Sequence, residues 1–145
     1  MERALKGKTI TAYLEEKLWK PLGMEYDVTW SLDREEDGLE KTFCCLNARA
    51  RDFAKLGRLY LNNGNWNGKQ IVSSEWVKES TTPTPGNEGY TNQWWLNSDG
   101  SYLAKGILGQ YIYVNPSKNL VMVRLGTGHG STDWPSLFDT LASFY

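Results

Sequence analysis

Gly109-Gln110-Tyr111-Ile112-Tyr113-Val114-Asn115 and Asn119-Leu120-Val121-Met122-Val123-Arg124-Leu125-Gly126 are two β-branched and aromatic runs, and their reading decides the architecture. The link between them, Asn115-Pro116-Ser117-Lys118, is short enough for an antiparallel hairpin. Leu120, Val121, Met122 and Val123 are apolar on both faces of a pleat, which predicts a central strand covered on both sides. Working outward, Tyr90 to Leu96 and Tyr102 to Lys105 are further strand runs set off by turn residues. Downstream, Asp133 caps a helix with Pro135 in its first turn, and Trp134, Leu137, Phe138, Leu141, Phe144 and Tyr145 supply its apolar face.

The residues before the sheet read as helices. Thr9 caps a helix from Ile10, with Tyr13, Leu14 and Leu18 at three-and-four spacing, and Pro21 ends it near Trp19 or Lys20. Asp27 to Lys41 is charged and without period, which reads as a surface loop. Asn47 is a candidate N-cap for a second helix whose face is Ala50, Phe53, Leu56, Gly57 and Tyr60, stopped by Asn62-Asn63-Gly64. Asn67-Gly68 marks a tight turn, Ser73 or Ser74 caps a short helix through Trp76 and Val77, and Ser80 to Gly89 is loop. Helices, then an antiparallel sheet, then a closing C-terminal helix make an α+β layout, read as one unit over residues 1–145.

Composition excludes several classes of function. The chain has 145 residues with 40% apolar and 13% aromatic content, ample for a packed core. Sixteen basic against seventeen acidic residues leave a net charge of −1, so no nucleic-acid partner is expected. No apolar run approaches the ~20 residues of a membrane span, and Met1 to Lys8 lacks the apolar core of a signal peptide. Cys44 and Cys45 are adjacent, a spacing that rarely reaches the geometry of an unstrained disulfide, so they are not expected to staple the fold. With one histidine and no paired-ligand spacing, no metal site and no cofactor are expected.

Motifs that could carry chemistry are sparse. Gly126-Thr127-Gly128-His129-Gly130 lies between a strand and a helix, but neither phosphate-loop spacing is present and the preceding strand belongs to a hairpin. His129 reads as a loop histidine, with no nucleophile or orienting carboxylate assigned to it. Tyr90-Thr91-Asn92 matches the Tyr-x-Asn proton relay of one class of serine hydrolase. No Ser-x-x-Lys occurs: Ser74 to Lys78 is one residue too long and Ser31 leads to Arg34, so neither serine is an activated nucleophile.

Several segments in order carry a resemblance over roughly residues 3 to 145. They are Lys20-Pro21-Leu22-Gly23-Met24, the run from Phe43-Cys44-Cys45-Leu46-Asn47 to Leu59-Tyr60-Leu61-Asn62, Gly68-Lys69-Gln70-Ile71-Val72 and Trp76-Val77. Gly106-Ile107-Leu108-Gly109-Gln110 and the two runs quoted at the outset complete the set. Together they resemble the second half of the serine β-lactamase-like family, which includes class C β-lactamases, D-alanyl-D-alanine carboxypeptidases, esterases and 6-aminohexanoate-dimer hydrolases. The last branch carries a similar Gly-x-x-Gly-Gln.

The resemblance implies a β-lactamase/transpeptidase-like fold in part, and amide or ester hydrolysis through an acyl-serine in the complete enzyme. In the family, the Ser-x-x-Lys pair and the relay precede the segment that Lys6-Gly7-Lys8-Thr9 begins to match. The chain is therefore expected to be a C-terminal fragment, inactive alone, and Tyr90-Thr91-Asn92 falls too late in family order to be the relay. The third family motif, Lys-Thr-Gly in β-lactamases, aligns with Ile107-Leu108-Gly109. This implies a substrate-binding role for those three residues and gives the backbone N–H of Gln110 the oxyanion-hole position. Absence of the motif's lysine argues against recognition of a β-lactam carboxylate. The implied partner is a small or peptide-like substrate of the complete enzyme. In the family fold the strand matching Asn119 to Gly126 pairs on its far side with an N-terminal strand, so here its edge is expected to recruit another chain or to be capped by Met1 to Lys8. Family members are often periplasmic or secreted, and the compartment of this chain is left open. A non-catalytic module recognising a peptide-like ligand, or an anion-binding domain using Gly126 to Gly130, are the other readings that the residues allow.

Overall fold

The structure, a computed structural model, describes residues 2–145. The chain divides into two units, Met1–Asp52 and Phe53–Tyr145, with the boundary in the first turn of a helix.

In the first unit, α1 (Ile10–Leu14) starts at Thr9, whose hydroxyl accepts the Ala12 N–H, and continues as one π-helical turn, Glu15–Trp19. Pro21 cannot extend that ladder, and Leu22 is buried just beyond it. The stretch read as a featureless loop carries β1 (Thr29–Trp30), paired antiparallel with β2 (Leu46–Asn47), and an isolated bridge from Leu32 to Glu40. Asn47 is thus a strand residue and not a helix cap. Its side chain donates to the Cys45 carbonyl, and α2 (Ala50–Leu61) begins three residues later. Cys44 and Cys45 are joined as a vicinal disulfide, contrary to expectation. Its Cα atoms keep the 3.8 Å spacing of neighbouring residues, and Cys45 takes a left-handed φ of +73° in a turn where the Cys44 N–H donates to the Lys41 carbonyl. The bond closes no chain loop, so it does not tie distant segments together.

The second unit is built in three layers. Its sheet has the order β5 (Tyr90–Thr91), β6 (Trp94–Leu96), β7 (Tyr102–Lys105), β8 (Tyr111–Asn115), β9 (Leu120–Arg124), antiparallel throughout. The single run expected from Tyr90 to Leu96 is folded on itself, because Asn92 and Gln93 both adopt positive φ (+44° and +75°) and form the two-residue turn of a hairpin. Asn67-Gly68 does the same for β3 (Asn65–Trp66) and β4 (Lys69–Gln70), and Ser73 caps α3 (Ser74–Ser80).

Alternation along β8 sorts the core. Tyr111 and Tyr113 face Phe138 and Ala142 of α4 (Trp134–Ala142) together with Leu103, while Ile112 and Val114 face Phe53, Leu56 and Tyr60 of α2 with Trp94 and Tyr102. The larger aliphatic and phenyl side chains among these each contribute about 1.5–3 kcal/mol by leaving water. Gly57 lets α2 approach closely: a Cβ there would sit 2.6 Å from Val121 Cγ1 and 3.0 Å from Ile112 Cγ2.

β9 is covered on both faces as expected, Leu120 and Met122 on one and Val121 and Val123 on the other. It is not central, however. It is an edge strand and only half-buried, and β8 is the strand with every residue buried. Met1 to Lys8 does not extend the sheet: Glu2–Leu5 forms a 3₁₀ turn, and Met1 lies outside the described residues. On α4, Asp133 caps as expected, but Leu141, Phe144 and Tyr145 are exposed, and Ala142 joins Phe138 as the buried contact. No helix among the described residues is long and apolar enough to cross a membrane.

Candidate active site

The turn between β7 and β8 carries Ile107, Leu108, Gly109 and Gln110, the four residues to which the resemblance gives a role. The Gly106 N–H donates to the Gln110 carbonyl at 2.8 Å and the Gly109 N–H returns to the Gly106 carbonyl at 3.0 Å, so the hairpin closes on itself. The Leu108 N–H donates to Gln110 Oε1 at 3.0 Å, which commits the glutamine side chain to shaping the turn. Two peptide N–H groups of the turn, those of Ile107 and Gln110, donate to no acceptor among the described residues. Ile107 presents its side chain almost wholly to solvent (85%), Leu108 is about half exposed (47%), and Gly109 is buried.

Glycine is required at position 109. Its φ is +75°, and a Cβ would lie 2.6 Å from Arg124 Nη1, 2.9 Å from the Gly128 carbonyl oxygen and 3.1 Å from His129 Cα. The crowding comes from Arg124 at the end of β9, whose guanidinium donates to the carbonyls of Gly109 and Gly128 and lies 4.0 Å from the centre of the Trp134 ring. Arg124 therefore points into the turn and not along the strand edge. Trp134 donates its indole N–H to the His129 carbonyl at 2.8 Å, fixing the loop from which the expected histidine hangs exposed. Tyr90 and Thr91 lie at the opposite side of the sheet in β5, and the Tyr90 hydroxyl donates to Gln93 Oε1 at 3.0 Å. Among the described residues no three His, Cys, Asp or Glu side chains converge as a metal site would need.

The geometry thus gathers Ile107, Leu108, Gly109 and Gln110 at one hairpin end. It adds the free N–H of Ile107 and the side chain of Arg124, neither of which the sequence reading singled out as functional. An arginine closing an otherwise apolar strand, two residues before a glycine, was the available signal for the second.

Known proteins carry the same arrangement of segments. The family model described as Beta-lactamase matches residues 1–143. The chain belongs to the β-lactamase family. It is 29% identical over 133 residues to the 6-aminohexanoate-dimer hydrolase of Paenarthrobacter ureafaciens, covering 81% of this chain and 32% of that protein. It is 34% identical over 148 aligned positions to an uncharacterised protein of Alkalihalophilus pseudofirmus, covering 89% of the chain and 42% of its relative. A solved structure from Bacillus anthracis, assigned as a 6-aminohexanoate-dimer hydrolase, superposes with a TM-score of 0.83 at 30% identity, over 98% of this chain and 40% of that one. A structure from Bacteroides dorei assigned as a β-lactamase shares the fold at 17% identity, with a TM-score of 0.64 over 89% of this chain and 49% of its own. This β-lactamase-family chain spans about a third to a half of the length of these relatives. Its α+β architecture is the corresponding part of their fold.

Proposed function

We propose that this chain is the C-terminal portion of a serine β-lactamase-like hydrolase that cleaves an amide or ester through an acyl-serine, and that it forms one wall of the active site. In this reading the backbone N–H of Gln110 is an oxyanion donor, and Ile107, Leu108 and Gly109 line the substrate. The observation that carries it is the uncommitted Gln110 N–H on a turn that is otherwise closed by its own hydrogen bonds. A free, fixed N–H is what stabilises the oxygen of a tetrahedral intermediate, because it needs no reorganisation when charge develops. The likeness to 6-aminohexanoate-dimer hydrolases supports the reaction class. The nucleophile and its lysine come from elsewhere in the enzyme, since no Ser-x-x-Lys occurs here.

The test compares two substitutions at Gln110 in the full-length protein that carries this sequence, with p-nitrophenyl butyrate as probe. Gln110→Pro deletes the N–H and is expected to lower kcat by about 10²-fold or more, while Gln110→Ala, which removes only the side chain, loses less than about tenfold. Equal losses overturn the assignment, and a loss on methylating the Ile107 nitrogen by semisynthesis, with Gln110→Pro active, transfers the role to Ile107. The 145-residue chain by itself is expected to give no turnover, and serine-directed phosphonate labelling with hydrolysis above the buffer rate would sink the partial-enzyme reading.

The same reading gives β9 a partner. Its outer edge bears the Leu120–Arg124 backbone, and we propose that a strand from the remainder of the enzyme pairs there. In the isolated chain a second copy is expected to take that place. Analytical ultracentrifugation showing a monomer, with fast amide exchange along β9, would contradict the second statement.

A further inference from the structure

In a trans peptide the C=O and N–H point to opposite sides of the chain, so whatever holds the Gly109 oxygen decides where the Gln110 hydrogen points. No cis peptide occurs among the described residues. The Gly109 oxygen is held by Arg124 Nη1, and by no other donor among the described residues. Gly109 sits at φ +75°, where glycine moves freely between backbone basins, so this peptide would flip easily were its oxygen released.

Besides that bond the arginine is held by two contacts, one of them itself braced. Nη2 donates to the Gly128 carbonyl at 3.1 Å, the Trp134 ring stacks at 4.0 Å, and Trp134 is tied to the His129 carbonyl. Gly126 leaves the space: a Cβ there would lie 2.7 Å from Arg124 Cζ and 2.8 Å from Nη2. We infer that Arg124 is a positioning residue that clamps the Gly109–Gln110 peptide with its N–H facing the substrate, an inference that rests on the oxyanion reading of Gln110. The cation also polarises the peptide it binds, which makes the N–H a stronger donor. Trp134 and Gly126 serve the same clamp, one by stacking and one by yielding room.

The experiment uses the full-length protein with p-nitrophenyl butyrate, together with an amide spectrum of the protein labelled with ¹⁵N-glutamine. Arg124→Met is expected to lower kcat about tenfold or more while KM stays within about twofold, since a small misplacement of a catalytic donor acts on the chemical step. Arg124→Lys keeps the charge and one hydrogen bond and recovers part of the loss. In Arg124→Met the Gln110 amide resonance should shift and broaden as the peptide samples both orientations. A variant with reduced thermal stability but unchanged kcat per folded molecule and an unchanged Gln110 resonance overturns the inference, leaving Arg124 a purely structural brace. If Gln110→Pro keeps wild-type turnover, the oxyanion reading fails by itself, and the resonance in Arg124→Met still shows whether the clamp exists. Should the wild type not turn the ester over, that resonance alone decides.

Discussion

The two units of the chain are held by different physics. Phe53–Tyr145 carries apolar side chains on both faces of one sheet, with Leu103, Tyr113, Val114 and Phe138 almost fully out of water. Met1–Asp52 buries only Ile10 and Leu22 among its described apolar residues, and hydrogen bonds, several of them made by side chains, supply much of its order. The Thr11 N–H and hydroxyl donate to Glu40 Oε1 at 2.8 and 2.5 Å, the Glu25 N–H donates to Asp52 Oδ1 at 2.7 Å, and the Trp30 indole donates to the Lys41 and Cys44 carbonyls at 3.0 Å. A layered core resists loss because many contacts share it. A hydrogen-bonded excursion depends on a few groups, each of which can be removed singly.

The largest effect should separate the two at matched chemistry. Leu103→Ala opens a cavity between the sheet and α4 and is expected to cost about 2–5 kcal/mol, whereas Leu39→Ala, at a residue 47% exposed, should stay within about 0.5 kcal/mol. Urea unfolding followed by tryptophan fluorescence measures both. Similar losses would mean that the first unit has a core after all.

This difference also explains what could be read from the sequence. Period-two and three-and-four patterns announce a core, so α2, α4, β7, β8 and β9 were legible, as were the turns at Asn67-Gly68 and Asn115 to Lys118. The order of strands was not: an apolar run such as Leu120 to Val123 shows that both faces are covered, but coverage by helices looks the same at an edge as at the centre. Pairing of Thr29–Trp30 with Leu46–Asn47 was hidden because two-residue strands have no period. At the candidate site, the Gly106 to Gln110 segment could be found as a motif, yet which of its N–H groups stay free depends on φ at Gly109 and on Arg124, fifteen residues further along the chain.

The two Thr11 donors hold the Glu40 carboxyl below its ordinary range, against the opposing pull of partial burial. A carboxylate whose pKa is lower in the folded state stabilises fully above the unfolded value of about 4.3, and that contribution disappears as pH falls through the lowered folded value. Glu40→Gln should therefore cost about 1 kcal/mol near neutral pH and almost nothing at the acid end, because the wild type has by then lost the same charge. Amide exchange at Thr11 across that range reads the effect locally. A pH-independent difference would mean that the contact is steric and not ionic.

The smallest effect tests whether the same local device has the same weight in both units. Thr9 accepts the Ala12 N–H and Ser73 accepts the Trp76 N–H, each at 3.1 Å, so the two N-caps are geometrically alike. Their settings differ: α3 buries Val77 and Ser80, whereas α1 is five residues long and buries Ile10 alone. Loss of a cap lowers the stability of its helix by about 1 kcal/mol, but that loss reaches the global transition only if the helix unfolds together with the core. Ser73→Ala should thus shift the main urea midpoint, and Thr9→Ala should leave it in place while amide exchange quickens in the residues that follow Thr9. If Thr9→Ala moves the midpoint as far as Ser73→Ala does, the two units unfold as one cooperative body, and the contrast between a shared core and separable hydrogen bonds no longer holds.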